Sequence, residues 1–151
     1  MPSNHWIITN RRVRRRKVDD GFVERVDRDD THAYPVFRVA RYHPARPSDS
    51  LGEDDDVVQR VSFVKDDFIT DYSGIREDGD PEQYKGTRQA FLQIYQQMID
   101  SPRGQGDVLF FIHGYQTGWL DAVRHLQKLH NLYVSNDEST IGQIVLFSWP
   151  S

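Results

Sequence analysis

The stretch from Asp107 to Gln116, which reads D-V-L-F-F-I-H-G-Y-Q, constrains the fold of this chain more than any other segment. Its apolar run, Val108–Ile112, predicts a strand that is buried on both faces, as in parallel sheets. The run ends at a His-Gly pair, and an amphipathic segment follows from about residue 117 to residue 134. A buried strand that turns through glycine into a helix presents backbone N–H groups at the rim of a sheet. Such groups suit an anion or a developing oxyanion.

The segment after this strand predicts a helix and then a second buried strand. Apolar residues recur at helical spacing at Trp119, Ala122, Val123, Leu126, Leu129 and Tyr133. The run Ile144–Phe147 then predicts a second strand of the same doubly buried type. A strand, a helix and a strand in this order form a parallel βαβ unit with a right-handed crossover.

The residues before Asp107 predict antiparallel strands. Two short segments rich in aromatic and β-branched residues, 6–10 and 34–42, predict strands, and 57–64 predicts a strand or an extended segment. Asp20-Gly21 lies between two segments with alternating valines, which predicts the turn of a hairpin.

One further helix is predicted before the Asp107 strand. Asp80-Pro81-Glu82 indicates its start, and Pro102 ends it. The stripe expected to pack on the sheet is Tyr84, Thr87, Phe91, Ile94, Tyr95 and Met98. We therefore predict a single α/β domain over residues 1–151. Residues 1–80 form an antiparallel, β-rich lead-in, and residues 81–151 form a helix–strand–helix–strand core.

Composition and charge limit the classes of function. With 151 residues, of which 37% are hydrophobic and 28% charged, the chain is expected to form a globular domain. It has no cysteine, which excludes disulfides and cysteine-based metal sites or nucleophiles. Its start lacks a basic segment followed by an apolar one, and no apolar run approaches the ~20 residues that cross a bilayer. We expect a soluble, cytoplasmic protein without a membrane partner. The net charge of −4 argues against nucleic acid as a partner.

Two charged runs each have a solvated interpretation and a sharper alternative. Arg11–Lys17 is predicted to line the wet face of the hairpin, where nearby acidic residues neutralise it. The alternative is an arm that binds polyanions. Glu53–Asp56 is predicted to be a solvated part of a loop, because it lacks the alternate spacing and the turn glycine of a calcium loop. The alternative is a divalent cation site.

The histidines of the second helix do not predict a metal site. His125 and His130 lie five residues apart, so they do not share a helix face. Asp121 and His125 lie four apart, but they offer only two ligands. We therefore expect no metal and no cofactor.

Two motifs resemble the α/β-hydrolase superfamily: F-F-I-H-G-Y followed by an amphipathic helix with Asp121-Ala122, and V-L-F-S-W-P-S at the second buried strand. The likeness is closest to a bacterial group of serine-hydrolase-like proteins of unassigned substrate, and the opening W-I-I-T-N-R resembles the first strand of that group. It implies that His113-Gly114 opens the oxyanion loop and that His113 braces this loop as a structural residue. It also implies that the backbone N–H of Tyr115, or that of Gln116, is one donor of the oxyanion hole.

The sequence departs from the superfamily at the nucleophile. The superfamily carries this residue in a G-x-S-x-G elbow after the next strand, and the sequence has no such elbow. Gly104-Gln105-Gly106 lacks the serine, and Ser148 lacks flanking glycines. We therefore assign no catalytic residue. The resemblance implies the N-terminal portion of an esterase-like or lipase-like serine hydrolase, which acts on a small-molecule ester in a full-length form and is inactive as this chain alone.

The same resemblance suggests a second function class. In the superfamily's sheet, the His-Gly strand lies between the strand that follows it in sequence and the nucleophile strand. Without the latter, Val108–Ile112 would form an apolar edge that pairs with other strands. The alternative function is therefore a non-catalytic interaction module that uses this edge, and we expect self-association through it.

Overall fold

The computed structural model describes residues 5–19, 21–27, 37–49, 51–65, 85–102 and 104–150. In chain order its elements are β1 (His5–Thr9), β2 (Val13–Val18), β3 (Gly21–Val26), β4 (Arg38–Tyr42), α1 (Asp54–Gln59), β5 (Val61–Phe63), α2 (Lys85–Asp100), β6 (Asp107–Ile112), α3 (Trp119–Leu129), a π-helical turn (His130–Val134) and β7 (Ile141–Ser148). The predicted helix start at Asp80, the stripe position Tyr84 and the first part of the 34–42 strand lie outside the described residues. None of the described helices is long and apolar enough to span a membrane.

The main sheet joins antiparallel and parallel strands around β1. Its strand order is β5-β4-β1-β7-β6. β7 lies between β1 and β6 and is parallel to both, whereas β1 pairs antiparallel with β4, and β4 with β5. The predicted α/β class is confirmed, with antiparallel strands and a parallel βαβ unit formed by β6, α3 and β7. The antiparallel and parallel parts share one sheet, since β1 has a neighbour of each kind.

Helices cover the two faces of this sheet. α3 places Ala122, Val123 and Leu126 in the larger core, together with Ile7 of β1 and Ile144 of β7. Because successive strand residues point to opposite faces, the neighbours of these two isoleucines line the other face. There α2 packs against β1, β4 and β7 in a smaller core. The predicted apolar stripe of α3 is confirmed in its first four positions, Trp119 to Leu126, which are buried, and Leu129 packs against the same core.

The face that α2 turns to the sheet differs in part from the predicted one, although Ile94 of the predicted stripe does pack against the smaller core. Ala90 is buried, and Ile94 packs beside it. The predicted stripe positions that are exposed instead are Phe91, Tyr95 and Met98. A hydrogen bond of 2.9 Å from the Gln143 side-chain amide to the Ile94 carbonyl ties this face of the helix to β7. Contacts with the sheet therefore decide which face of α2 is buried. The positions of its largest apolar side chains do not.

The prediction that β6 is buried on both faces is wrong. Leu109 and Phe111 pack against the larger core, but Phe110 and Ile112 on the other face are 58% and 61% exposed. The reason is the position of the strand, because β6 ends the sheet and pairs with β7 along one side. The smaller core beneath α2 reaches only Val108 of this strand.

The acidic run Glu53–Asp56 begins a helix, so the predicted loop is wrong there, and residues 57–64 do not form one strand. The Glu53 backbone N–H donates to Asp56 Oδ2 at 3.2 Å, as in a capping box. Acidic side chains are favourable in the first turn because the N-terminus of a helix carries partial positive charge. Val57 of this helix is buried, and β5 begins only at Val61.

The predicted hairpin is present as β2 and β3, which form a separate two-stranded sheet. Its buried positions are Val13 and Val26. Arg14 lies 2.7 Å from Asp27, and Arg15 lies 3.0 Å from Glu24. Acidic side chains of β3 and its end therefore neutralise part of the basic run, as the solvated interpretation predicted.

Candidate functional site

A tight turn after β6 presents two backbone N–H groups at the carboxyl edge of the sheet. His113 and Gly114 leave the strand, and Tyr115 and Gln116 form the turn. Gln116 has a φ of 60°, a left-handed conformation that residues other than glycine adopt rarely. Strain of this kind concentrates at functional sites. Within the described residues, the N–H groups of Tyr115 and Gln116 have no hydrogen-bond acceptor.

His113 is buried behind this turn, and both of its ring nitrogens are hydrogen-bonded. The Trp149 backbone N–H donates to Nε2 at 3.0 Å, so Nε2 carries no proton. Nδ1 therefore carries the proton and donates to the Gly114 carbonyl at 2.9 Å. The imidazole also stacks on the Trp149 indole, with centroids 5.4 Å apart and planes at 10°. These contacts favour the predicted bracing role, because a general base needs a nitrogen that is free to accept a proton.

The electrostatics of the turn keep His113 neutral at pH 7. Burial lowers the pKa of His113, and the positive charges of Arg11 and His125 lower it further, although its backbone hydrogen bonds oppose this shift. A neutral ring is what the geometry requires, because protonation of Nε2 would remove the acceptor for the Trp149 N–H. The brace is therefore intact at neutral and higher pH.

Arg11 ties the loop between β6 and α3 to the end of β7. Its Nη2 donates to the Thr117 carbonyl at 2.8 Å and to the Trp149 carbonyl at 2.6 Å, and its Nε donates to Ser148 Oγ at 3.0 Å. Thr9 extends the network, since its Oγ1 donates to the Ser148 carbonyl at 2.7 Å and accepts the Arg11 backbone N–H at 3.0 Å. The ends of β1, β6 and β7 are thus held together at the carboxyl edge, where open α/β sheets bind ligands.

Ser148 is not an activated nucleophile in this arrangement. Its side chain is fully buried, and its Oγ accepts a hydrogen bond from the Arg11 guanidinium. Within the described part of the chain, no histidine or carboxylate lies within hydrogen-bond reach of this hydroxyl. A serine nucleophile needs a neighbouring base that takes its proton. Ser148 therefore supports the edge of the sheet and does not attack a substrate.

The histidines of the second helix do not converge. His125 is exposed, and its ring meets Phe111 edge-on with centroids 6.3 Å apart. His130 is buried and hydrogen-bonds to His5. Across residues 5–19, 21–27, 37–49, 51–65, 85–102 and 104–150, no group of three or more His, Cys, Asp or Glu side chains could hold a metal ion. The acidic run at α1 lies instead beside a cation, with Asp54 Oδ1 3.2 Å from Arg124 Nη2.

His5 and His130 form a buried pair at the start of β1, at the opposite end of this strand from Arg11. The Ile144 backbone N–H donates to His5 Nδ1 at 3.0 Å, so His5 Nε2 carries the proton and donates to His130 Nδ1 at 2.8 Å. Burial, followed by the charge of His130, lowers the pKa of His5 to about 3. Burial also lowers the pKa of His130. The pair is therefore neutral at pH 7.

The structure brings the predicted loop residues, His113 to Gln116, together at one end of β6. Sequence reasoning missed the residues that hold this loop in place: Thr9, Arg11 and Ser148. Arg11 begins a basic run whose other members were expected to be solvated, so the sequence did not indicate that Arg11 is buried and holds the loop. The signal that distinguishes it is its position directly after β1, within W-I-I-T-N-R.

Comparisons with known proteins leave the function to be argued from this geometry. No protein-family model, curated protein or solved structure matches the chain.

Proposed function

We propose that this chain forms the oxyanion-binding part of an esterase-like or lipase-like serine hydrolase. The observation that supports the proposal is the pair of backbone N–H groups at Tyr115 and Gln116, which lack an acceptor among the described residues. An oxyanion hole needs donors that are fixed before negative charge develops. His113 and Arg11 supply this rigidity, because they bind the loop on both sides of the turn.

The chemistry follows from the change in charge at an ester carbonyl. When a nucleophile attacks, the carbonyl oxygen becomes an oxyanion, and donors about 2.7–3.1 Å away stabilise it more than they stabilise the ground state. One serine and one histidine of the described residues lie within hydrogen-bond distance, Ser62 Oγ and His43 Nε2 at 3.4 Å, but Ser62 belongs to β5, at the opposite edge of the sheet from β6. This pair therefore cannot attack an ester carbonyl that is held at the turn after β6. In the proposed division of labour, this chain stabilises the charge on a small-molecule ester, and the nucleophile and its base come from outside the described residues.

The test is an activity assay of the longest reading frame that contains this sequence, with short p-nitrophenyl esters as substrates. Tyr115→Pro removes one of the two N–H donors. We expect kcat to fall by about 10²–10³-fold, because the lost hydrogen bond acts on the transition state. We expect a much smaller change in KM, since the ground-state carbonyl is bound weakly by these donors.

Tyr115→Ala is the matched control, because it keeps the N–H and removes only a side chain that is 76% exposed. Its kcat should stay close to that of the wild type, and thermal melting should show that both variants fold. The proposal is contradicted if Tyr115→Pro folds and hydrolyses esters at the wild-type rate. It is also contradicted if the longest reading frame hydrolyses none of the esters.

A second candidate function rests on the exposed edge of the sheet. Among the strands that the structure describes, β6 is the last of its sheet, and Phe110 and Ile112 are more than half exposed on it. Such an edge accepts a further strand from a partner, with main-chain hydrogen bonds giving affinity. A non-catalytic module that pairs through β6 is therefore the alternative to the hydrolase.

A further inference from the structure

The buried histidine pair at the start of β1 has no free lone pair for a proton. The Ile144 N–H donates to Nδ1 of His5, and Nε2 of His5 donates to Nδ1 of His130. These two hydrogen bonds connect β7 through β1 to the π-helical turn. The remaining ring nitrogen, Nε2 of His130, already carries the proton of the neutral ring. A proton can therefore bind to either ring only after one of the two hydrogen bonds breaks.

The strands beside His5 contribute no other group that changes charge in mild acid. On β4, Tyr42 lies directly opposite His5 in the sheet register, and burial raises the pKa of Tyr42 to about 12. Its hydroxyl donates to Gln127 Oε1 of α3 at 2.6 Å. β7, on the other side of β1, has no titratable side chain between Ile141 and Ser148. Of the titratable groups that these two strands turn towards the pair, none titrates between pH 5 and pH 7.

The charged side chains of α3 point away from the pair. Arg124 binds Asp54 of α1, with Nη2 and Oδ1 3.2 Å apart. The exposed charged or titratable side chains of α3 are Asp121, His125 and Lys128. In the π-helical turn itself, Tyr133 is 47% exposed. Within the described part of the chain, acid therefore acts on this corner of the fold through the two imidazole rings.

The bond between the two rings is the one that breaks most readily, because its two ends differ in their freedom to move. His5 lies on β1, which is hydrogen-bonded to β4 on one side and to β7 on the other. His130 begins the π-helical turn, His130–Val134, and is the buried residue of this turn. Residues 135–140, which connect the turn to β7, are exposed at all but one position. Segments that bury few side chains open at a lower free energy than the strands of a core.

The π-helical turn depends on the pair for its main buried contact. Its closing backbone hydrogen bond runs from the Ser135 N–H to the His130 carbonyl at 3.0 Å. Val134 packs against the larger core but is only partly buried. The Gln127 side chain also donates to Asn131 Oδ1 at 2.8 Å. Turns of this kind are rare and are frequently found at functional sites.

We propose that the His5–His130 pair is a pH-sensitive switch: acid breaks the bond between the two rings, and residues 130–140 open while the main sheet and α3 stay folded. In the open state both rings reach water and take up protons, which stabilises this state below about pH 6. Opening exposes Val134 and leaves the turn at His113–Gln116 intact, because the opening segment precedes the amino end of β7 and that turn lies at the carboxyl edge. The switch is therefore independent of the proposed hydrolase function.

The test is native-state hydrogen exchange of the 151-residue chain, followed by NMR at pH 7 and pH 5 in low concentrations of urea. The Ser135 amide reports on the turn, because it donates to the His130 carbonyl, and the amide of the buried Leu146 reports on the sheet. We expect exchange of Ser135 at pH 5 to be independent of urea, since a local opening exposes little surface. Exchange of Leu146 should accelerate with urea, since it requires global unfolding.

The protection factor of Ser135, corrected for the intrinsic effect of pH on exchange, should fall from pH 7 to pH 5. The expected factor is about 25-fold for each ring that is protonated only in the open state, where a histidine titrates near 6.5. His130→Gln should remove one of these factors, because a glutamine can accept the bond from His5 but does not titrate. His125→Gln is the matched control, since it removes an exposed histidine of α3, and it should behave as the wild type.

Equal urea dependence of exchange at Ser135 and Leu146 would overturn the proposal, because the segment would then open only when the whole chain unfolds. The proposal would also be overturned if His130→Gln kept the full pH dependence of the wild type at Ser135. If His130→Gln does not fold, the urea dependence measured in the wild-type chain decides.

Discussion

Arg11 is 7% exposed although it opens a run of basic residues. Its guanidinium donates to acceptors on Thr117, Ser148 and Trp149, so one side chain joins segments that are more than a hundred residues apart. We expect Arg11→Lys to lower the free energy of unfolding by about 2–3 kcal/mol, because an ammonium group cannot reproduce the planar fork of donors. Urea denaturation at pH 7, followed by tryptophan fluorescence, measures this loss.

The matched control is Arg16→Lys, because Arg16 belongs to the same basic run and its side chain is exposed on β2. Its urea midpoint should equal that of the wild type. An Arg11→Lys variant with the wild-type midpoint would show that the guanidinium fork does not hold the carboxyl edge together.

The buried pair of His5 and His130 predicts a loss of stability in acid. Both pKa values are lowered in the folded state, that of His5 to about 3, whereas an unfolded histidine titrates near 6.5. Between these values the unfolded state binds more protons, so stability is fully present above pH 6.5 and falls as the pH falls. From pH 7 to pH 5, His5 alone should cost about 2 kcal/mol of unfolding free energy, measured by urea denaturation at each pH.

His5→Gln is the informative variant for this prediction. A glutamine side chain can accept the Ile144 N–H and donate to His130, but it does not titrate. The variant should therefore lose less stability than the wild type between pH 7 and pH 5. Some pH dependence should remain, because His130 and His113 also have lowered pKa values. Identical pH dependence in the two proteins would rule out His5 as the source.

At the scale of elements, the segments with a strong local pattern were predictable from the sequence. The β2–β3 hairpin, the β6 strand, α3 and β7 all follow from turn chemistry or apolar periodicity. The predicted turn at Asp20-Gly21 is displaced, because Gly21 pairs with Val18 as the first residue of β3. α1 was missed because Val57-Val58 favours a strand by its β-branched side chains, whereas the acidic residues before it favour the start of a helix. The capping pattern decided the outcome, and it was present in the sequence.

Two other features of the elements depend on contacts that no local pattern contains. α2 has large apolar side chains on more than one face, so its periodicity does not determine which face meets the sheet. The end of α3 changes to a π-helical turn, in which the Ser135 N–H donates to the His130 carbonyl at 3.0 Å. Beyond this change Tyr133, which the helical stripe predicted to be buried, is 47% exposed. His130 instead turns inward to meet His5, a partner 125 residues away.

At the scale of the whole molecule, the candidate site was predictable in part. The motif after β6 located the turn at His113–Gln116, because a strand, a glycine turn and a helix are adjacent in the sequence. The network of Arg11 and Ser148 was not predictable, since these residues lie 137 positions apart and meet only when β1 pairs with β7. The order of the strands also places β6 at the end of the described sheet. The apolar run Val108–Ile112, which was predicted to be fully buried, is therefore partly exposed.

This exposed edge predicts self-association of the chain. Phe110 is 58% exposed on β6, so Phe110→Lys places a charge on the edge without entering the core. Edge strands are protected from pairing by such charges. In analytical ultracentrifugation we expect the wild-type chain to form a dimer or larger species as its concentration rises, and Phe110→Lys to remain a monomer.

Leu92→Lys is the matched control, because Leu92 is 60% exposed on α2. If Leu92→Lys also abolished association, the outer face of α2 would be part of the contact, and a wild-type chain that stays monomeric at every concentration would refute pairing through β6.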